Sequence, residues 1–259
     1  MARPNRGQTG HSPDQGDAGL EASLVMSAAH ATHSNGRRLR ILVIDIGGAH
    51  VKLGLSMPRL RRAFGSGSKM TATQMVAKIK ELTSGWTYQV ISIGYPGPVA
   101  GNRPITEPHN LGSGWAGFDF AKVFRRPVKV VNDAVMQALG SYHGGRMLFL
   151  GLGTGLGTAM IIDGVIEPME LAHLRYKKGK TFEDYLGSRG LRRSGLKKWR
   201  KNVSDVVEIL STALEPDYVV LGGGNARKVE KLPQRTELGN NNKAFVGGIR
   251  LWDKSRSHV

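Results

Sequence analysis

Ile41-Leu42-Val43-Ile44-Asp45-Ile46-Gly47-Gly48-Ala49-His50-Val51-Lys52-Leu53-Gly54-Leu55-Ser56 sets one carboxylate and a glycine pair directly after an apolar run. An apolar run that ends at Gly-Gly reads as a buried strand, and glycines let backbone amides approach an anion with no Cβ in the way. A P-loop or dinucleotide-binding turn runs on into a helix. Here Val51, Leu53 and Leu55 instead alternate with Lys52, Gly54 and Ser56, the period of a second strand. The unit reads as strand, glycine turn, strand, with Asp45 at the turn. These residues alone leave open both a phosphate turn and an ordinary hairpin with an exposed Asp.

The second half of the chain opens in the same way. Met147–Leu150 is apolar, Gly151-Leu152-Gly153-Thr154-Gly155-Leu156-Gly157 is a glycine turn, and Thr158–Ile162 reads as a strand again. Asp163-Gly164 then makes a tight turn into Val165–Glu167. The glycines do not fit G-x-G-x-x-G, and a strand follows them, which argues against a dinucleotide fold. Two such units about a hundred residues apart imply an internal duplication, with two similar lobes presenting glycine turns to a shared cleft.

Between and after these units the chain alternates strands and helices. A basic turn at Arg59–Arg62 leads to a short third strand around Ala63–Ser66. Thr71–Leu82 has helical spacing, Val90–Val99 is a buried strand breaking at Pro96-Gly97-Pro98, and Asn102–Gly117 is a long loop carrying Asn110 and Trp115 as candidate binding groups. Phe118–Phe124 reads as a short helix and Val128–Val131 as a strand delivering Asn132-Asp133-Ala134, before a helix over Val135–Tyr142. A carboxylate at the carboxyl end of such a strand sits where ligands bind, although Asp133 also suits a helix cap. Glu170 and His173 stand three apart, suited either to one ligand or to a solvated helix face. A dense basic run spans Arg175–Lys201, which is either a solvated face or a track for a polyanion. Val203–Leu214 is helical, and Tyr218–Leu221 is a strand ending in Gly222-Gly223-Gly224 at an expected helix N-terminus. The remainder reads as irregular closing structure.

The 259 residues are 40% hydrophobic, enough for one large core or two smaller ones. The net charge of +17 and pI of about 10.4 favour a polyanionic partner. No cysteine is present, which excludes disulfides and thiolate metal sites. No window approaches a membrane span, so a cytoplasmic protein with no membrane partner is expected. Residues 1–38 are too polar to bury a core and read as a disordered tail with a nascent helix at Leu20–Ala31; His11, His30 and His33 there suit either a metal or, the commoner case in such a tail, plain solvation.

In order and spacing, Asp45-Ile-Gly-Gly-Ala-His-Val-Lys52, Gly94-Tyr-Pro-Gly-Pro98, Asn132-Asp133-Ala134, Gly151–Gly157, Glu170-Leu-Ala-His173 and Leu221-Gly-Gly-Gly224 resemble the ROK family of sugar kinases, over about Arg40–Trp252. The branch they resemble most uses polyphosphate. The resemblance implies an α/β chain with the actin-like ATPase fold, two duplicated ribonuclease H-like lobes (39–131 and 132–259) around a central cleft. It implies a hexose kinase that phosphorylates the 6-hydroxyl of glucose from polyphosphate or ATP, with Asp133 as general base. Asn110, Asn132, Glu170, His173 and Glu183 would bind the sugar. Gly47, Gly48, Lys52, Gly153, Thr154 and Gly155 would face phosphates, Gly222, Gly223 and Gly224 the adenosine, and Asp45 would position Mg²⁺, directly or through water. Ala49 stands where the family usually has Thr or Ser, and Ala172 where it has Gly; without cysteines no zinc is expected. A homodimer is compatible with the family, nucleic acid is disfavoured as a partner, and a sugar sensor or polyanion-binding protein is the alternative function.

Overall fold

The computed structural model describes residues 39–240 and 242–253. The expected tail, the helix expected at Leu20–Ala31 and the histidines His11, His30 and His33 lie outside them. Two five-stranded sheets share one plan. The first contains β1 (Ile41–Ile46), β2 (His50–Leu55), β3 (Leu60–Gly65), β4 (Val90–Tyr95) and β7 (Val128–Asn132), in the order β3-β2-β1-β4-β7. The second contains β8 (Arg146–Leu152), β9 (Leu156–Ile162), β10 (Val165–Met169), β11 (Tyr218–Gly222) and β12 (Thr236–Leu238), in the order β10-β9-β8-β11-β12. In each sheet the first three strands in chain order pair antiparallel and the next two join parallel. The same order and sense twice over are the duplication expected from the two glycine turns. A two-stranded ribbon, β5 (Val99–Ala100) and β6 (Arg103–Pro104), lies outside both sheets.

β1 is buried along its whole length because helices cover both faces of its sheet. Leu42, Ile44 and Ile46 pack with Met75, Val76 and Ile79 of helix α1 (Ala72–Leu82), whose N-terminus is closed by a Thr71–Gln74 capping box. Ile41 and Val43 face the opposite way, into a core shared by both sheets. Asp45 follows their parity and so points to the side where the lobes meet. A third core packs β8, β9 and β11 against α4 (Phe182–Leu186) and α5 (Ser188–Leu214).

The central core is built by α3 (Asp133–Ser141) and α6 (Lys243–Arg250), two helices whose backbones nearly touch. A Cβ on Gly140 would overlap the Lys243 carbonyl, and one on Gly247 would overlap the Met136 carbonyl. Gly248 packs on Val43 of β1, and Phe245 on Gly54 of β2. The chain's last described helix therefore returns to the first sheet and fixes the helix that begins at Asp133.

Several expectations change. The third strand starts earlier, at Leu60, and takes in Arg61 and Arg62 from the expected basic turn. Arg61 lies over the Phe245 ring at 4.0 Å, and Arg62 over Trp86 at 5.6 Å, so stacking accommodates them on a strand. The short helix α2 is Phe120–Phe124, capped by Asp119. α5 takes in much of the basic run, broken at Gly195, where φ is +74°. The residues after 225 are not irregular, since they contain β12 and α6. The glycine turn after β11 leads to a single 3₁₀ turn, Ala226–Lys228, and not to an α-helix.

Candidate active site

The two glycine turns and the N-terminus of α3 converge on a cavity of about 280 Å³. Its walls include Gly48 from the first turn, Gly153, Thr154 and Gly155 from the second, Asn110, Asn132, Asp133, Glu170, His173, Glu183 and Gly223. Asp45, Gly47, Lys52, Gly222 and Gly224 stand outside the lining. Lys52 Nζ lies 3.5 Å from Asp45 Oδ2 across the β1–β2 pair, and Gly222 packs on the Phe149 ring.

Asp133 is free of the capping role that its position allowed. α3 begins two residues before the expected start, and its cap is Asn132, whose Oδ1 accepts the Ala134 N–H at 2.9 Å. Asn132 Nδ2 donates to Gly97 O at 3.0 Å, which ties the proline loop to the helix start and leaves one side-chain N–H for a ligand. With the cap supplied, the Asp133 carboxyl opens on the cavity. Burial first, and then the charges of Asp45 and Glu170, push its pKa up to about 7, against the pull of the Ala134 and Asp133 amides. Burial also raises Asp45, and the Lys52 ammonium opposes that rise.

Glu170 and His173 do not lie on an α-helical face. Glu170 precedes and His173 ends a 3₁₀ turn, Leu171–His173, whose period of three residues stacks them on one side, with Oε2 and Nε2 3.9 Å apart. Thr158 of β9 holds that turn in place. Its hydroxyl donates to Met169 O and itself accepts the Leu171 N–H at 3.2 Å. Glu183 Oε2 accepts the Leu156 N–H at 3.2 Å and sits where a Cβ on Gly155 would overlap it. Arg189 reaches the same carboxylate at 4.0 Å. Ser188 and Asn225 brace the second turn, both donating to Gly153 O.

The cavity also contains residues that motif reading does not single out: Pro108, His109, Gln137, Phe149 and Thr158. Gln137 lies four residues after Asp133, one helical turn away, and this spacing was the only sequence signal for it.

Asp45 and Asp133 offer carboxylates near one another, and among the described residues no three His, Asp or Glu side chains form a metal cage. That donor set suits a cation such as Mg²⁺, which takes one or two carboxylates and completes its shell with water and phosphate oxygens.

The model of the ROK family matches residues 41–167. That match places a ROK family domain within residues 41–167. It is 29% identical over 235 residues to a polyphosphate glucokinase of Mycobacterium tuberculosis, covering 82% of this chain and 85% of that protein. A glucokinase of Pyrobaculum calidifontis is 29% identical over 133 residues, 49% of this chain and 40% of that protein. Among solved structures, the inorganic polyphosphate/ATP-glucomannokinase of Arthrobacter sp. strain KM superposes with a TM-score of 0.72 at 22% identity, over 84% of this chain and all of that one. A ROK glucokinase of Streptomyces griseus, in complex with glucose and AMPPNP, gives 0.67 at 16% identity, over 82% and 98%. The fold is the actin-like ATPase fold of ROK sugar kinases. No helix among the described residues is long and apolar enough to cross a membrane.

Proposed function

We propose that this ROK chain is a glucokinase-like sugar kinase that transfers a phosphoryl group from polyphosphate or ATP to the 6-hydroxyl of glucose. The observation that carries the reading is Asp133: an uncapped carboxylate at a helix start, open to the cavity, with a pKa near the pH at which a general base works best. A primary hydroxyl is a poor nucleophile, so its proton must leave as the new bond forms. In the proposed reaction Asp133 accepts that proton, and the sugar oxygen attacks the terminal phosphorus of the donor. The bond from that phosphorus to its bridging oxygen breaks, and the donor leaves one phosphoryl group shorter.

Asn110, Asn132, Glu170, His173 and Glu183 supply donors and acceptors for the other sugar hydroxyls. The Gly47 and Gly153 amides donate within their own turns and shape them, and the other amides of the Gly47-Gly48 and Gly153–Gly155 turns face the phosphates, with Lys52 near the first. If ATP is the donor, Gly222–Gly224 lie toward its adenosine. When bound with the donor, Mg²⁺ neutralises phosphate charge, and Asp45 would hold it directly or through water.

The basic run Arg175–Lys201 favours polyphosphate, since a chain of phosphates needs an extended cationic track and a single nucleotide does not. Purified protein assayed with glucose and each donor, at low and at raised salt, tests the reading. Glucose 6-phosphate is expected from at least one donor, and its absence with both overturns the proposal.

A further inference from the structure

The loop over residues 105–111 is tied down more firmly than its composition suggests. The Glu107 carboxylate, outside the cavity, accepts hydrogen bonds from three consecutive backbone amides: Gly114 at 3.2 Å, Trp115 at 3.1 and 3.3 Å, and Ala116 at 3.3 Å. These amides hold its carboxyl below the usual carboxylate range. Two more bonds fix the same region from within. The Tyr95 hydroxyl donates to Thr106 O at 2.8 Å, and the indole of buried Trp115 donates to Met70 O at 3.2 Å.

What this fastening holds is a wall of the cavity. His109, Asn110 and Leu111 line it beside Asp133, and Asn110 Cβ sits 3.2 Å from the place a Cβ on Gly48 would take. Two residues in sequence therefore separate the clamped carboxylate from a side chain that faces the acceptor. Ordering a surface segment with glycines at 112, 114 and 117 costs backbone entropy, and charge-assisted bonds to three amides offset that cost at one point.

We propose that Glu107 is a positioning residue, which clamps Gly114–Ala116 and thereby sets His109 and Asn110 as the acceptor-binding wall of the cavity that Asp133 lines. What the wall binds rests on the sugar-kinase reading; the clamp itself does not.

The test compares the full wild-type chain with Glu107→Gln and Glu107→Asp. It reads hydrogen–deuterium exchange across 112–117, KM for glucose, kcat, and the urea midpoint. Glu107→Gln keeps the shape but loses the charge. It is expected to speed exchange at the three amides and to raise the glucose KM by roughly tenfold, with kcat and the urea midpoint little changed. Glu107→Asp keeps the charge and is expected to lie between the two. Unchanged exchange in Glu107→Gln overturns the clamp. Faster exchange with an unchanged KM overturns the positioning role, and so does a lowered urea midpoint with an unchanged KM, the pattern of a purely structural bond. A wild-type chain that phosphorylates no glucose overturns the acceptor role together with the kinase reading, and the exchange measurement still decides whether the clamp exists.

Discussion

Asp133→Asn should abolish turnover and stabilise the protein at the same time, and the stabilisation should depend on pH. The Asp133 carboxyl moves from an ordinary value of 3.8 to about 7 on folding. Because the folded value is the higher one, the native state holds a proton between those limits that the unfolded chain has lost. Below about pH 4 both states are protonated and the group contributes nothing; as pH rises toward 7 the native state loses stability, and above 7 the full cost remains. A shift of about three units at 1.36 kcal/mol each gives about 4 kcal/mol. Water in the cavity screens part of this, so about 3 kcal/mol is the working figure. Asparagine keeps the shape and removes the buried charge. Urea unfolding should therefore place Asp133→Asn above wild type by about 1 kcal/mol at pH 5 and about 3 kcal/mol at pH 8. In wild type, kcat/KM should rise as pH passes through about 7, when the base ionises. A gap that does not change with pH, or a variant less stable than wild type at pH 8, would refute the argument that this carboxyl is held at the expense of stability.

Two further substitutions address the scaffold and the donor side. Gly247→Ala forces a methyl group into the Met136 carbonyl where α6 crosses α3, and should cost about 3 kcal/mol in a urea melt; a change under about 0.5 kcal/mol would mean that the helices can move apart freely. Ala49→Thr puts a hydroxyl on the exposed first turn. The donor KM should fall about fivefold with the glucose KM unchanged, and a donor KM that does not move would remove the first turn from donor binding.

The strands and turns were legible because burial writes itself into local pattern. β1 needs apolar residues at every position, so the lone Asp45 stands out against them, and the alternation from Val51 to Leu55 betrays a strand where a nucleotide loop would continue as a helix. What was illegible depends on contacts distant in sequence. α6 was hidden by Gly247 and Gly248, poor helix formers whose missing side chains let α6 approach α3 and β1. The same property that conceals the helix makes it fit. Whether Asp133 caps α3 could not be decided from Asp133 itself, because the answer lies with Asn132 and its bond to Gly97. Glu107 belongs to no motif, and its role emerges only when a loop folds back over seven to nine residues.

The chain's charge of +17 conceals an acidic centre. Asp133, Glu170 and Glu183 line the cavity and Asp45 stands beside it, which is the reverse of what a polyphosphate would choose. Three basic side chains are already engaged by these carboxylates: Lys52 with Asp45 at 3.5 Å, Arg189 with Glu183 at 4.0 Å, and His173, when protonated, with Glu170 at 3.9 Å. The two proposed substrates therefore meet different parts of the site. A neutral sugar can donate its hydroxyl protons to the carboxylates without repulsion, while an anionic donor must be held by turn amides at close range and drawn in by the surrounding basic surface at long range. Long-range attraction is screened beyond about 10 Å at 0.1 M salt, whereas hydrogen bonds in a closed cavity are not. Raising salt in the donor assay should accordingly weaken capture of the donor and leave the glucose KM almost unmoved; equal effects on both would mean that donor and sugar do not divide the site between amides and carboxylates.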